Sequence, residues 1–448
     1  MGKSNIIAVG ALIILYLGFS GNAIGYEQND TAILDEIAMS TWNYLHSPWS
    51  TANHMPFSWK SDTSEGSYAN TAEIGLYALC WIAAYEMQRP WSPSWEETEE
   101  NITAILDQLL TWQNNPPYDY DDRGAFYQWY WVKGDDIDPT PRRGGGIGDD
   151  EVPSIDNAWL AVSLITLRQY AIENNHTDLS NKSSQLIDGL NFSIWYHQET
   201  HQFTMLIKDD PQKGVLCDYY SGENRIVNLI AMALGQISED EFHESLKNLL
   251  EPTLCYNEIC VEKTNWNGAY FTYTTPALFI PEMSTSYGTN TIIPATKAQI
   301  EYARNEGYAA WGLSDCNDPL NDRYIMNQGA PPKGMGNGQE PAVGYVAPYA
   351  SALALITPLQ KEAIANLRVI KEEAGPAYND SFGFQEWVNA SNESFGETSQ
   401  CYTALSQEWI LLSISNVEVG FPWRYFYNDE GVKTAVREMY GELSISDL

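Results

Sequence analysis

The chain has 448 residues, of which 44% are apolar, and a formal net charge of −35 from 59 acids against 24 bases. That balance argues strongly against nucleic acid or an anionic lipid surface as a partner, because both demand basic surface. It suits a soluble exterior meeting a neutral or cationic partner, and the apolar fraction is ample for a large core.

The first predicted element is a leader. Lys3 precedes an apolar run from Ile6 to Phe19. At about 14 residues the run is short of the roughly 20 that a membrane span needs. The small residues that follow, up to Gly25, predict a secretory signal peptide over residues 1–25, with a retained N-terminal anchor as the alternative. No Pro/Gly/Ser-rich linker divides residues 26–448, so one domain is expected and no later membrane segment. Export agrees with eight Asn-x-Ser/Thr acceptor patterns, at Asn29, Asn101, Asn175, Asn181, Asn191, Asn379, Asn389 and Asn392. In an oxidising compartment some of the six cysteines should pair, Cys255 with Cys260 first. The expected location is secreted or cell-surface, and the expected state is monomeric.

Along the mature chain two kinds of helix alternate. Ala72–Met87, Ile155–Tyr170, Ile226–Leu234, Val343–Ile356 and Thr403–Ile414 are apolar nearly all round. Between them lie amphipathic patterns through Ile102 to Leu110, Leu186 to Ile194, Phe242 to Leu250 and Ala363 to Ile370. A helix that is apolar all round must be covered on every side, whereas an amphipathic one faces water. Inner and outer helices in alternation predict an all-α fold, an (α/α)6-type toroid or barrel of about six helical pairs. A solenoid would alternate similarly, but no fixed-period repeat is present. Asn70-x-x-Glu73, Ser94-x-x-Glu97, Ser238-x-x-Glu241 and Thr357-Pro358-Leu359-Gln360 read as capping boxes. Strand-like sequence is limited to short runs such as Tyr270–Tyr273 (YFTY).

In such a barrel the inner-helix N-termini open onto one cavity. Asp156 in "SIDNAW" and Glu223 in "SGENR" stand at two such starts, and Asp315 and Asp318 lie in "AAWGLSDCNDP". First-turn acids complement the helix dipole by up to about 1 kcal/mol, so each alone is ordinarily structural. Three clusters, each beside Trp or Tyr, point instead to paired carboxylates, the equipment of glycosidic bond cleavage. The 16 Trp and 28 Tyr, with Trp49, Trp59, Trp129, Trp131, Trp266 and Trp387 near polar turn residues, suit stacking on sugar faces, although large proteins also bury Trp. His197 and His201 lack further zinc ligands. "DYDDRG" (119–124) and "GDDIDP" (134–139) carry oxygen ligands for Ca²⁺ without EF-hand spacing, and read better as solvated acidic loops. "RRGGGIGDD" does not join a strand to a helix, which argues against a phosphate cradle. No cofactor is expected.

Eight stretches in order resemble the glucoamylase-like family of (α/α)-barrel proteins, which includes β-1,2-glucan hydrolases and the transglycosylase domain of cyclic β-1,2-glucan synthases. They are "NTAEIGLYAL", "SIDNAWLAVSLITLRQY", "YYSGENRIVNLIAMALG", "NWNGAYFTYTTPALFIPE", "QIEYARNEGYAAWGLSDC", "VAPYASALALITP", "FGFQEWVN" and "VGFPWRYFYND". The resemblance implies that Glu223 is the general acid and that Asp156 is the acid of the family's helix start. It puts Asp315 where transglycosylase-type members carry a proposed nucleophile, and Glu386 in place of an Asp. Ser406 and Ser415 stand where the family has acids, Glu408 where it has Gly, and Pro153 where some β-1,2-glucanases have Asp. These departures imply altered subsites.

The sequence thus predicts a secreted glycoside hydrolase or transglycosylase acting on a neutral oligo- or polysaccharide, β-glucan first. Glu223 is the acid and Asp315 or Asp156 the base or nucleophile. Trp311, Trp266, Tyr219 and Tyr220 are stacking walls, Glu386 binds hydroxyls, and Trp387 and Asp318 are further substrate contacts. The rivals are a non-catalytic glycan-binding or envelope protein on the same barrel, and a polysaccharide lyase.

Overall fold

A helix whose every face is apolar is stable only where other elements surround it, and the chain meets that demand with a ring inside a ring. The computed structural model describes residues 28–134, 151–207, 214–321, 323–325, 329–334, 344–391 and 393–441. The expected leader, the acidic run at 135–139 and the Gly-rich stretch at 142–150 lie outside them.

In chain order, six outer–inner pairs follow one another: α1 (Gln28–Leu45) and α2 (Thr71–Glu86), α3 (Trp95–Gln113) and α4 (Ser154–Glu173), α5 (Thr177–Gly189) and α6 (Asn224–Ala233). Then come α7 (Glu239–Lys247) and α8 (Tyr270–Thr274), α9 (Ile293–Glu306) and α10 (Pro348–Leu353), α11 (Gln360–Glu373) and α12 (Ala404–Val419). Two further helices, α13 (Trp423–Asn428) and α14 (Glu430–Tyr440), close the chain, α14 against α6. Among the inner helices α2 packs on α4 and α12, α4 on α6, and α10 on α8 and α12. The step from α6 to α8 is bridged by Arg225, whose guanidinium donates to the carbonyls of Thr272 and Tyr273. The all-α toroid predicted from the alternation is the observed fold.

The two helix kinds differ as their sequences require. Every residue from Thr71 to Ala84 of α2 is buried, whereas α3 buries only Thr98, Ile102, Ile105, Leu106, Leu109 and Trp112, one stripe at helical spacing. Capping boxes form at Asn70/Glu73 and Ser238/Glu241. Ser94 accepts the Glu97 N–H, one half of the expected box. At Thr357 the side-chain hydroxyl accepts the Leu359 N–H at 3.1 Å. A 3-10 turn Ala354–Ile356 ends the inner segment, and the next helix starts only at Gln360.

Two other expectations are corrected. The strand-like YFTY run is α8, an inner helix. Its Tyr270, Thr272, Tyr273 and Thr274 are all buried, and that burial outweighs the small β preference of aromatic and β-branched residues. The segment expected as helix from 343 opens, over its described residues, as a strand: Tyr345–Val346 pairs antiparallel with Val388–Asn389, and α10 starts at Pro348, where the missing N–H costs nothing. Outer helices α1 and α9 have no counterpart among the predicted elements. The short strands are two- and three-residue pairs in the loops. One of these hairpins carries the Cys255–Cys260 disulfide, and Cys80, Cys217, Cys316 and Cys401 are buried thiols.

The inner ring contains one costly group. Glu408 on α12 is 0% exposed, and neither carboxyl oxygen has a hydrogen-bond partner among the described residues. Burial pushes its pKa well above the usual carboxylate range, and the charge of Glu73 adds to the rise. Glu73 itself accepts from Ser58 Oγ at 2.9 Å and from the Asn70 N–H at 2.7 Å. Because the folded-state pKa of Glu408 lies above the unfolded value, its protonated form supports the fold at low pH and that support is lost as pH rises through the folded value. Glu386, also raised by burial, acts in the same direction. The Tm is expected to fall as pH increases from the ordinary carboxylate range upward, each group contributing at most about 1.4 kcal/mol per pH unit. Glu408→Gln should flatten that slope in thermal melts. An unchanged slope would contradict the assignment.

Candidate active site

The inner-helix N-termini gather the acids that the sequence singled out, into two groups. In the first, Glu223 is the N-cap residue of α6 but makes no capping bond, so its carboxyl is free for other partners. Trp159, one turn into α4, donates its indole N–H to Glu223 Oε1 at 2.6 Å. Asp156 lies in the first turn of the same helix, three residues before Trp159 and so on the same face. The N-cap of α4 is Pro153, which has no side-chain oxygen to cap the helix. The strand pair of Val152–Pro153 with Leu206–Ile207 fixes its entry instead. Asp156 is half-buried, and the Gln128 amide approaches its Oδ2 at 3.5 Å.

The electrostatics of this group are unusual for a carboxyl. The Glu223 pKa is pushed up to about 7, chiefly by burial. The Trp159 hydrogen bond opposes the rise, the charge of Asp156 adds to it, and Arg225 offsets a little of it. A carboxylic acid still protonated near neutrality beside another carboxyl is the pairing that divides acid from base.

The second group sits before α10. Asp315 is 6% exposed and accepts from Asn267 Nδ2 at 3.0 Å. Asp318 is buried, and the Asn321 amide donates to both its oxygens, at 3.0 and 2.9 Å. Glu386 is also buried. It accepts the Asn317 N–H at 2.9 Å on one oxygen, and the hydroxyls of Ser406, at 2.6 Å, and Thr403 on the other. Its carboxyl thus ties the loop before α10 to the start of α12, and Ser406 serves it as a donor.

The aromatic walls divide as well. Trp311 is 6% exposed, edge-on to Tyr270, with its backbone held at both N–H and carbonyl by Asn366 of α11. It is packed into the barrel wall with little of its ring exposed. Tyr220 is buried against Tyr287, with Lys263 Nζ 3.8 Å from its ring centroid. Trp387 is buried and stacked on Tyr345 at 4.3 Å, and its indole N–H has no partner among the described residues. Trp266 and Tyr219 are half-buried, and Lys333 Nζ lies 5.5 Å from the Tyr219 ring centroid.

Trp159, Gln128, Asn267 and Arg225 were missed as site residues. Only Trp159 carried a local signal, its i+3 spacing from Asp156. Elsewhere, His197 bonds Thr204 and His201 bonds Tyr196, so neither faces a metal partner in the other. Arg123 grips Asp121 at both oxygens, each at 2.7 Å. Exposed Glu239 and His243 of α7 and half-buried Glu438 of α14 place ligand atoms within 4.8 Å of one another.

A hydrogen bond to the charged form of an acid lowers its pKa. Trp159→Phe should therefore raise the Glu223 midpoint above about 7, and Asp156→Asn should lower it. NMR titration of ¹³C-carboxyl-labelled glutamate would read both shifts, and movement in the opposite sense would refute the arrangement.

Residues 223–430 match a family model described as "Putative glucoamylase". The fold is shared with an endo-β-1,2-glucanase from Chitinophaga pinensis, solved with sophorotriose and glucose, at TM-score 0.75 and 15% identity over 92% of this chain and 98% of that one. A "putative glucoamylase" from Bacteroides fragilis gives 0.75 at 16% identity, over 93% and 98% of the two chains. An endo-β-1,2-glucanase mutant from Talaromyces funiculosus, in complex with β-1,2-glucan, gives 0.69 at 14% identity, over 92% and 90%. No curated protein matches the chain by sequence. The sequence match thus covers the motifs from residue 223 onward, and the shared fold extends across the barrel.

Proposed function

We propose that this protein is a secreted or cell-surface glycoside hydrolase or glycan transglycosylase acting on a neutral β-glucan, with β-1,2-glucan as its leading substrate. One observation carries the reading: a carboxyl with a pKa of about 7, Glu223, whose proton is held partly by the charge of Asp156 on the neighbouring inner helix. The named substrates of the fold's glucanase neighbours support the choice of sugar.

In this reading Glu223, protonated near neutrality, donates its proton to the glycosidic oxygen as the bond to the anomeric carbon breaks. Asp156 is the second carboxylate, which activates water or an acceptor hydroxyl, or attacks the anomeric carbon itself. Trp159 keeps the Glu223 carboxyl aimed, and the half-buried rings of Trp266 and Tyr219 supply apolar faces for sugar rings. Asp315, held by the buried amide of Asn267, shapes the far wall. The enzyme works as a monomer, and its charge of −35 keeps anionic glycans away.

The test is incubation of the protein with a panel of α- and β-glucans, followed by assay of reducing ends and transfer products. Cleavage or transfer with β-1,2-glucan is expected, with activity falling on the alkaline side of about pH 7 as Glu223 ionises. Glu223→Gln should lower kcat about a thousandfold and leave glucan binding measurable. Unchanged turnover in that variant would sink the assignment of the acid. Binding of glucan without turnover by the unaltered protein would replace the enzyme reading with a glycan-binding one.

A further inference from the structure

Behind Glu223 lies a buried polar assembly that the proposed chemistry does not use. Arg225, two residues on, is 0% exposed, and all five of its N–H donors are occupied. Nη1 donates to the carbonyls of Gly222, at 3.0 Å, and Thr272, at 2.8 Å. Nη2 donates to the carbonyl of Tyr273 at 2.7 Å and to Glu282 Oε2 at 3.1 Å, while Nε reaches Glu282 Oε1 at 2.8 Å. The guanidinium also sits 4.7 Å from the centroid of Tyr287, whose hydroxyl donates to Ser221 Oγ at 2.9 Å. Glu282 is likewise 0% exposed, and its Oε1 receives one more bond, from the hydroxyl of Tyr440 at 2.5 Å. Tyr440 is the last residue of α14, which packs along α6.

A buried ion pair is an expensive way to join two helices, and apolar residues of the same volume usually serve stability as well or better. This one differs from a simple brace in where its bonds go. Arg225 Nη1 holds the carbonyl immediately before Glu223, and Tyr287, against whose ring the guanidinium sits, bonds the serine before that.

We propose that Arg225, Glu282 and Tyr440 form a positioning device for Glu223: the guanidinium pins the Ser221–Glu223 turn, Glu282 balances its charge, and the C-terminal helix supplies the hydroxyl that holds Glu282 in place. The inference rests on Glu223 being the acid of the proposed reaction. None of the three residues touches substrate. They act through the turn and through the field that Arg225 places on the Glu223 carboxyl.

The experiment has two arms. The first needs no substrate. The Trp159 indole N–H is bonded to Glu223 and reports its ionisation. Its ¹H–¹⁵N resonance, assigned by its loss in Trp159→Phe, is followed against pH. Replacing both partners of the ion pair, Arg225→Gln with Glu282→Gln, removes the cation that favours the Glu223 anion, and should move the midpoint up. Tyr440→Phe leaves Arg225 as the remaining partner of Glu282 Oε1, draws the guanidinium charge toward it, and should give a smaller rise in the same direction. The second arm is kinetic: on a cleaved glucan, Tyr440→Phe should lower kcat about tenfold with KM unchanged, and shift the alkaline limb of the pH profile with the indole midpoint.

An unmoved midpoint in a folded Tyr440→Phe protein, or a loss of kcat that merely follows a loss of Tm, overturns the proposal. If the double variant does not fold, Tyr440→Phe decides alone. If the unaltered protein cleaves no glucan, the functional reading fails while the indole titration still decides the positioning role.

Discussion

The constraint on which everything else depends is the covering of the inner helices. α2 is buried over nearly its whole length, and α4 and α12 are little less so. No flat or two-layer arrangement covers such helices on all sides, but a closed ring with an outer jacket does. Closure has a consequence for chemistry. It turns the starts of the inner helices toward a common mouth, so residues at separate places in the chain, such as Asp156 and Glu223, become neighbours. The site follows from the way the core is buried.

Within that frame, five buried or half-buried glutamates show how surroundings divide one side chain into different tasks. Glu73 accepts from a backbone N–H and a serine hydroxyl, the bonds that suit a carboxylate at a helix start. Glu282 is matched by a guanidinium fork. Glu386 draws three donors from two different loops and the start of α12, and so fastens the wall. Glu408 has none among the described residues, and burial holds its pKa high. Glu223 stands between these cases, with one indole donor and a neighbouring carboxylate, and its pKa of about 7 is the balance of opposing effects. Such intermediate balance is what general acid catalysis requires.

Much of this was legible from the chain. All-round apolar runs alternating with amphipathic ones imply the toroid, because the covering requirement is a property of the residues themselves. Acids at the starts of two inner runs mark Asp156 and Glu223. Local pattern fails where tertiary burial overrides propensity, as in the aromatic YFTY run that forms α8, and where a helix carries too mixed a pattern to stand out, as in α1 and α9. Nor does local pattern record how Trp311 is held, with its backbone bonded by Asn366 of α11 and its ring edge-on to Tyr270.

By itself, then, the sequence determined the class of fold, the ring of helix starts and the carboxylates placed on it, since hydrophobic periodicity and helix-start chemistry are local. Only the tertiary structure decided which acid keeps its proton. That depends on burial, on the indole of a residue 64 positions away in the chain and on a charge from the adjoining helix. Only the fold, too, brings Tyr440 to Glu282, a contact between residues 158 apart. Desolvation and pairwise electrostatics act through space, and no local pattern in a chain records them.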